Sequence, residues 1–198
     1  MTADSKTSQA GAGRTIISVD AMGGDQGPAA VVAGISYSAK VNPDIGFILH
    51  GPATTLKALV ERRKPLAGRV EIRDAEGVVS MEDKPSQVIR NGKNTSMWSA
   101  VDSVRNGEAD VCVSCGNTGA LMMLSVVRLR KIKGVNRPAI AVMWPSSNPQ
   151  NFNIMLDAGA DIRADEHDLL QYALMGASYA RNGMELARPR IGLLNVGT

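Results

Sequence analysis

The sequence predicts an α/β fold with a mainly parallel sheet covered by helices on both faces. Short apolar runs alternate with longer segments of helical period along most of the chain. Two of those runs also break at a turn of small residues that opens at once into a helix pattern, once after Val19 and once after Val113. Such repeated β-α alternation implies parallel strands with helices packed on each side.

Taken in order, Thr15–Val19 reads as a strand and Pro28 to about Lys40 as a helix, with proline near the favoured first helical position. Ile45–Leu49 is a second strand, followed by a short helix from about Thr54 to Arg63; Val70–Ile72 is a third strand. The segment from Ser80 to Met97 is polar and loop-like, with a helical turn near Ser86–Ile89. A helix from about Ser96 to Arg105 leads to a strand at Val111. The next helix, Thr118 to about Ile132, is apolar almost all round until Arg128, which predicts burial, and Gly134 suits its C-cap. Ala139–Met143 and Asn153–Leu156 suggest a hairpin, and Asp165 is placed to cap a helix from about Glu166 to Arg181. The sequence closes on an apolar strand pattern from Ile191 with its turn glycine, Gly197, so the expectation is that residues 14–198 are the N-terminal portion of a single domain that continues further.

Composition excludes several classes. The 198 residues are 44% hydrophobic and 21% charged, ordinary for a globular protein, and a net charge of +3 falls far short of a nucleic-acid binder on charge alone. Residues 1–13 are rich in Ser, Thr, Gly and Ala without an apolar stretch and read as a disordered tail. No run approaches membrane-span length. Cys112 and Cys115 form a C-x-x-C, but Cys112 lies inside a strand and the odd spacing sends the two thiols to opposite faces, unlike a redox pair. Cys115 alone, beside a helix N-terminus, stays a weak nucleophile candidate. With His50 and His167 the only histidines, a zinc site is disfavoured. A nicotinamide site is disfavoured too, because no G-x-G-x-x-G follows the first strand.

The two turns carry the chemistry. In Asp20-Ala-Met-Gly23-Gly24-Asp25 and in Ser114-Cys-Gly-Asn117-Thr118-Gly119, backbone N–H groups and the positive end of a helix dipole make an anion site. Two such turns in one chain suggest phosphate or a similar oxyanion as ligand.

Seven pieces in register resemble a known family. They are Val19-Asp-Ala-Met-Gly-Gly-Asp25, Lys84-Pro-Ser through Arg90, Thr95-Ser-Met97, Ala109-Asp to Leu121, Arg137-Pro-Ala139, Leu156-Asp-Ala-Gly159 and Gly192-Leu-Leu-Asn-Val-Gly197. Their order and content resemble the bacterial phosphate acyltransferases of phospholipid synthesis, the PlsX family, over essentially all of Ile16–Thr198. The resemblance implies a Rossmann-like three-layer α/β/α sandwich, similar to the isocitrate and isopropylmalate dehydrogenase fold and to phosphotransacetylase. It implies conversion of acyl-[acyl carrier protein] and inorganic phosphate to acyl phosphate and free carrier, with no cofactor and no metal. The acyl phosphate would feed a membrane glycerol-3-phosphate acyltransferase. A cytoplasmic homodimer, peripherally attached to the inner face of the membrane, is implied as well. Three departures stand out: Thr95 where the family usually has serine, Cys115 where it usually has serine or a small residue, and Asp161 where it commonly has asparagine. The second argues that Cys115 is not an obligatory nucleophile, and no role is carried onto Asp161.

Within that resemblance, candidate catalytic residues are Asn117, Lys93 and Arg90. An amide and helix N–H groups suit a tetrahedral oxyanion, an Arg fork suits phosphate, and Lys acts as a point charge. Candidate substrate-binding residues are Gly23, Gly24, Asp25, Ser96, Thr118, Gly119, Asp157 and Asn195. For the glycines the alternative is a tight turn that only packs helix on strand; for Asp20 and Asp25 it is loop-fixing hydrogen bonds. No side chain stands out as a general base. Arg128, Arg130, Lys131, Lys133 and Arg137 place five bases in ten positions without an acid, a candidate docking patch for the acidic carrier. The alternative is that these charges complement a helix C-terminus. Two rival functions remain: a phosphotransacetylase using acyl-CoA, and a non-catalytic module that binds phosphate or carrier.

Overall fold

The computed structural model describes residues 14–158 and 164–194. The tail at 1–13, Gly159 to Asp161 and Asn195 lie outside the described residues. The chain divides into two compact units, Met1–Arg130 and Lys131–Thr198.

In the first unit, β1 (Thr15–Asp20), β2 (Ile45–Gly51), β3 (Val70–Asp74) and β4 (Val111–Ser114) form one sheet in the order β3-β2-β1-β4, parallel throughout. β1 and β2 run in step from Thr15 opposite Ile45 to Asp20 opposite His50. On its other side, β1 starts its pairing with β4 through Asp110, which accepts from the Ile16 N–H at 2.7 Å and returns its own N–H to the Ile16 carbonyl.

Alternation along β1 sorts its side chains between two layers. Val19 joins Phe47, Leu49, Leu56 and Leu66 in a core under α1 (Gly27–Val41) and α2 (Ala53–Val60). Ser18 and Asp20 point to the opposite face, toward α4 (Ser96–Arg105). There a second core gathers Val88 of α3 (Pro85–Asn91), Met97, Trp98 and Val101 of α4, and Ala120 and Leu124 of α5 (Thr118–Arg128). α4 is tied to α5 by Asp102, which takes a two-pronged bond from Arg128 at 2.7 and 2.9 Å and accepts from the Trp98 indole N–H at 3.0 Å. The guanidinium lies 5.0 Å over the Trp98 ring.

The sheet–α4 interface is polar, and His50 organises it. The imidazole is fully buried. Ser18 Oγ donates to the Ala100 carbonyl, so its contact with His50 Nε2 at 2.9 Å requires the ring to donate there, and Nδ1 then accepts from Ser99 Oγ at 2.8 Å. Burial first, and the nearby Arg73 cation second, lower the His50 pKa from 6.5 to about 4. A neutral ring therefore favours the folded state, while the unfolded chain takes up a proton near 6.5. Stability from this source is complete above pH 6.5, falls as pH drops toward 4, and is constant below. The expected loss across that window is about 3 kcal/mol. Urea unfolding at steps from pH 7 to pH 4 checks it, since His50→Gln should flatten the dependence over that window.

The second unit holds an antiparallel hairpin, β5 (Ala141–Pro145) with β6 (Phe152–Leu156), and α6 (Glu166–Gly183). The hairpin and the Asp165 cap, which accepts from the Asp168 N–H at 2.8 Å, are as the sequence reads, except that β5 starts and ends two residues later than Ala139–Met143 and takes in Pro145.

Five expectations are corrected. α2 ends at Val60, not Arg63. The polar 80–97 segment contains a full helix, α3, where only a turn was expected. α5 stops at Arg128, because Arg130 takes a left-handed φ of 68° that ends the helix before Gly134 can cap it. It is also not buried all round: Ala120 and Leu124 are covered, whereas Met123 and Val127 face outward. Residues 191–194 form no strand and expose Ile191, Leu193 and Leu194, since no described strand pairs with them.

Candidate functional site

Chain order sets the location. From β1 the chain moves outward through β2 and β3 on one side, then returns to place β4 on the other. The strand order therefore reverses between β1 and β4, and ligand crevices in open α/β sheets form at the carboxyl ends of strands at such a point. Both small-residue turns emerge there.

Asp20 closes β1 and holds the place together. Its side chain is 2% exposed. Oδ1 accepts from Ser96 Oγ, the first residue of α4, at 2.6 Å, and Oδ2 accepts from Ser114 Oγ, the last residue of β4, at 2.7 Å. Ser114 Oγ in turn accepts from the Gly116 N–H at 3.0 Å, and the Met22 N–H reaches Oδ1 at 3.3 Å. One carboxylate thus fastens the first turn, the second turn and the start of α4. From the sequence Asp20 is a residue that orients either a substrate hydrogen or its own loop, and Ser114 has no role; the signal available for it was a serine closing the neighbouring strand.

The two turns touch. A Cβ on Gly23 would lie 2.7 Å from Asp20 Oδ2 and 2.8 Å from both the Gly116 nitrogen and Ser114 Oγ. Gly24, at φ +98°, would bring a Cβ within 3.0 Å of Cys115 Cβ. Asp25 is exposed at the rim.

Asn117 caps α5, accepting from the Ala120 N–H at 3.0 Å. Its amide nitrogen donates to the carbonyls of Ser80, Met81 and Asp83 at 3.0–3.1 Å. The side chain is 8% exposed and engaged at both ends, so it fixes the 80–83 loop against the helix. Exposed Thr118 and the close-packed Gly119 head α5, where no preceding carbonyl can take their N–H groups. Gly119 also admits Pro85 of α3, which a Cβ would meet at 3.1 Å.

The remaining candidates are placed as follows. Ser96 is buried with its hydroxyl held by Asp20. Arg90 and Lys93 are both exposed, at the end of α3 and in the 3-10 turn after it, and neither bonds to a residue of the two turns. Arg128 is held by Asp102 and Trp98, as described. Within the second unit, Arg137 lies 3.5 Å from Asp168, and Lys131 Nζ donates to the Asn136 carbonyl. Arg130 and Lys133 are exposed, and Asp157 follows β6 at a φ of 60°. Burial and then the Asp20 charge push the Cys112 thiol up to about 12, while Cys115 sits exposed by Gly24. The C-x-x-C is therefore split between environments, as the strand spacing requires. Among the described residues no cluster of three or more His, Cys, Asp or Glu is arranged to hold a metal, and no helix is long and apolar enough to cross a membrane.

The family model described as "Fatty acid synthesis protein" matches residues 15–198. The chain is 73% identical over its whole length to a phosphate acyltransferase of Ruegeria sp. (strain TM1040), covering 53% of that protein, and 70% identical to one of Ruegeria pomeroyi, again covering 53%. It spans about half the length of these curated relatives. Among solved structures, EutD phosphotransacetylase from Staphylococcus aureus superposes with a TM-score of 0.56 at 16% identity, over 84% of this chain and 53% of that one. The fold is therefore the α/β architecture of phosphotransacetylase, and the chain belongs to the fatty acid synthesis protein family, alongside the phosphate acyltransferases that resemble it over its full length.

Proposed function

We propose that this chain supplies the phosphate-binding turns of a phosphate acyltransferase of phospholipid synthesis, acting on acyl-[acyl carrier protein]. A phosphate oxygen attacks the thioester carbonyl, the tetrahedral oxyanion collapses, and the C–S bond breaks. Acyl phosphate leaves, and the carrier thiolate takes up, through water, the proton that the attacking hydrogen phosphate releases. A thiolate is a good leaving group, so placement of the phosphate and stabilisation of the oxyanion carry most of the work.

The observation that carries this reading is the contact of the two glycine turns at the strand-order reversal, fastened by Asp20. The backbone of Gly23 and Gly24 and the N–H groups of Thr118 and Gly119 would hold oxyanions. Asn117 is a positioning residue in this scheme, Asp20 and Ser96 are likewise, and Arg90 and Lys93 are the cations available to phosphate. Asp25, Asp157 and Asn195 are lesser candidates for substrate contact. Arg130, Lys131, Lys133 and Arg137 would meet the acidic carrier, and Arg128 would contribute through the helix it anchors. A peripheral place on the inner membrane face, a homodimer and delivery of acyl phosphate to a membrane glycerol-3-phosphate acyltransferase complete the proposal. No cofactor takes part.

The test is phosphate-dependent thiol release from palmitoyl-[acyl carrier protein], with acetyl-CoA as the comparison donor. Release from the carrier substrate alone is the expected result. Release from acetyl-CoA alone would favour the phosphotransacetylase reading, which the shared fold keeps in view. Carrier binding without release from either donor, in this chain and in one extended to its relatives' length, would leave only a binding module.

A further inference from the structure

The crevice at the two turns does not end there. It continues along α1 as a groove of about 570 Å³, within the roughly 300–1,000 Å³ typical of small-molecule sites. Its polar end is made by Gly23, Gly24, Ser114 and Cys115, with the Asp25 carboxylate at the rim. The rest is mainly apolar, with Ile17, Val19 and Phe47 from the sheet, Val31 and Ile35 from α1 and Val113 from β4; Asp20 and Gln26 add polar groups near the head and Ser38 one at the far end. Following α1 from Gly27 to Ser38, both of which line it, the groove runs for about 16 Å.

Gly34 opens its helix wall. It lies in the interior of α1, where glycine is a poor helix former and alanine the best. No turn, positive φ or close backbone approach requires it, because a Cβ there would meet nothing within 4 Å. What the missing side chain leaves is room in the groove.

Resting on the acyltransfer reading above, we propose that this groove seats the hydrocarbon chain of the acyl substrate. The acyl carbonyl and phosphate lie at the two turns, and Gly34 sets how long a chain is accepted. The order of surfaces matches that ligand: a polar head at the strand ends, then an unbranched apolar tail along Ile17, Val31 and Val113, which keep free surface above the buried Val19 and Phe47. Val113, 43% exposed on β4, gains cover when the tail is in place.

The test reads binding and not turnover. Dansyl-undecanoic acid is titrated into the protein and displaced by octanoyl, lauroyl and palmitoyl phosphate. Displacement should strengthen with chain length. Gly34→Leu should weaken palmitoyl phosphate about tenfold and octanoyl phosphate less. The variant should melt no lower than the parent, since leucine is the better helix former and its Cβ meets open space. Tyr37→Leu, on the exposed side of the same helix, is the control and should change nothing. Displacement that ignores chain length, or that ignores Gly34→Leu, overturns the proposal. If thiol release succeeds while displacement is flat, the groove assignment fails alone. If displacement behaves as expected while release fails, the acyltransfer reading fails and the lipid site stands.

Discussion

Asp20→Ala is expected to lower stability by about 3–5 kcal/mol, read as a shift of the urea midpoint at constant slope. Two hydroxyl donors, the buried Ser96 Oγ and the part-buried Ser114 Oγ, lose a charged acceptor that is itself buried. Each such bond contributes about 1.5–3 kcal/mol, and the buried Ser96 hydroxyl is then left unsatisfied. Asp20→Asn keeps the shape and one acceptor oxygen but faces the second serine with an N–H₂, so about half the loss is expected. If Asp20→Asn and Asp20→Ala behave alike and both cost less than 1 kcal/mol, the carboxylate does not hold the turns. The same variants should lose thiol release together with stability, because the clamp and the proposed phosphate turns are one structure.

Gly23→Ala separates those two effects. The new methyl would lie within 2.8 Å of three polar atoms, two of them in the adjoining turn: one is backbone, and the other two are side-chain oxygens held by hydrogen bonds. The turns must move apart by several tenths of an ångström. Overpacking of this kind costs about 1–3 kcal/mol, which leaves a folded protein to assay. A misplacement on the order of 1 Å at a reacting centre can cost about 100-fold in rate, so thiol release should fall on that scale while the melting curve stays cooperative. Measuring kcat and phosphate KM for parent and variant checks it. Unchanged kinetics would mean that the contact of the turns is packing alone.

What could be read in advance follows the range of the interactions. The strands and most helices came from local periodicity and from caps such as Asp165, whose partner is three residues away. The two turns were legible as a pair because small residues must follow a buried parallel strand where a helix starts at once. The role of Asn117 was not, because the carbonyls its amide holds lie 34–37 residues earlier in a loop with no pattern of its own. Arg128 read as one of five clustered bases until Asp102 and Trp98 of another helix were brought beside it. α5 misled in both respects. A non-glycine residue at positive φ gives no signal in sequence, and an apolar circumference cannot tell which side has a neighbour.

The wiring of β1 also bears on how the chain acquires its structure during synthesis. β2 and β3 are available to β1 once the first 74 residues have emerged, and the core under α1 and α2 can close on them. The other face of β1 has to wait. Ser18 takes its acceptor from Ala100, and Asp20 takes its donors from Ser96 and Ser114, separations of 82, 76 and 94 residues. Until Ser114 leaves the ribosome, the hydroxyl and the carboxylate of the nascent sheet lack their long-range partners and water takes those places, which holds that face hydrated and discourages premature apolar closure over it. The buried polar layer acts as a timer: one side of the sheet sets early, and the crevice is assembled only when its last strand arrives.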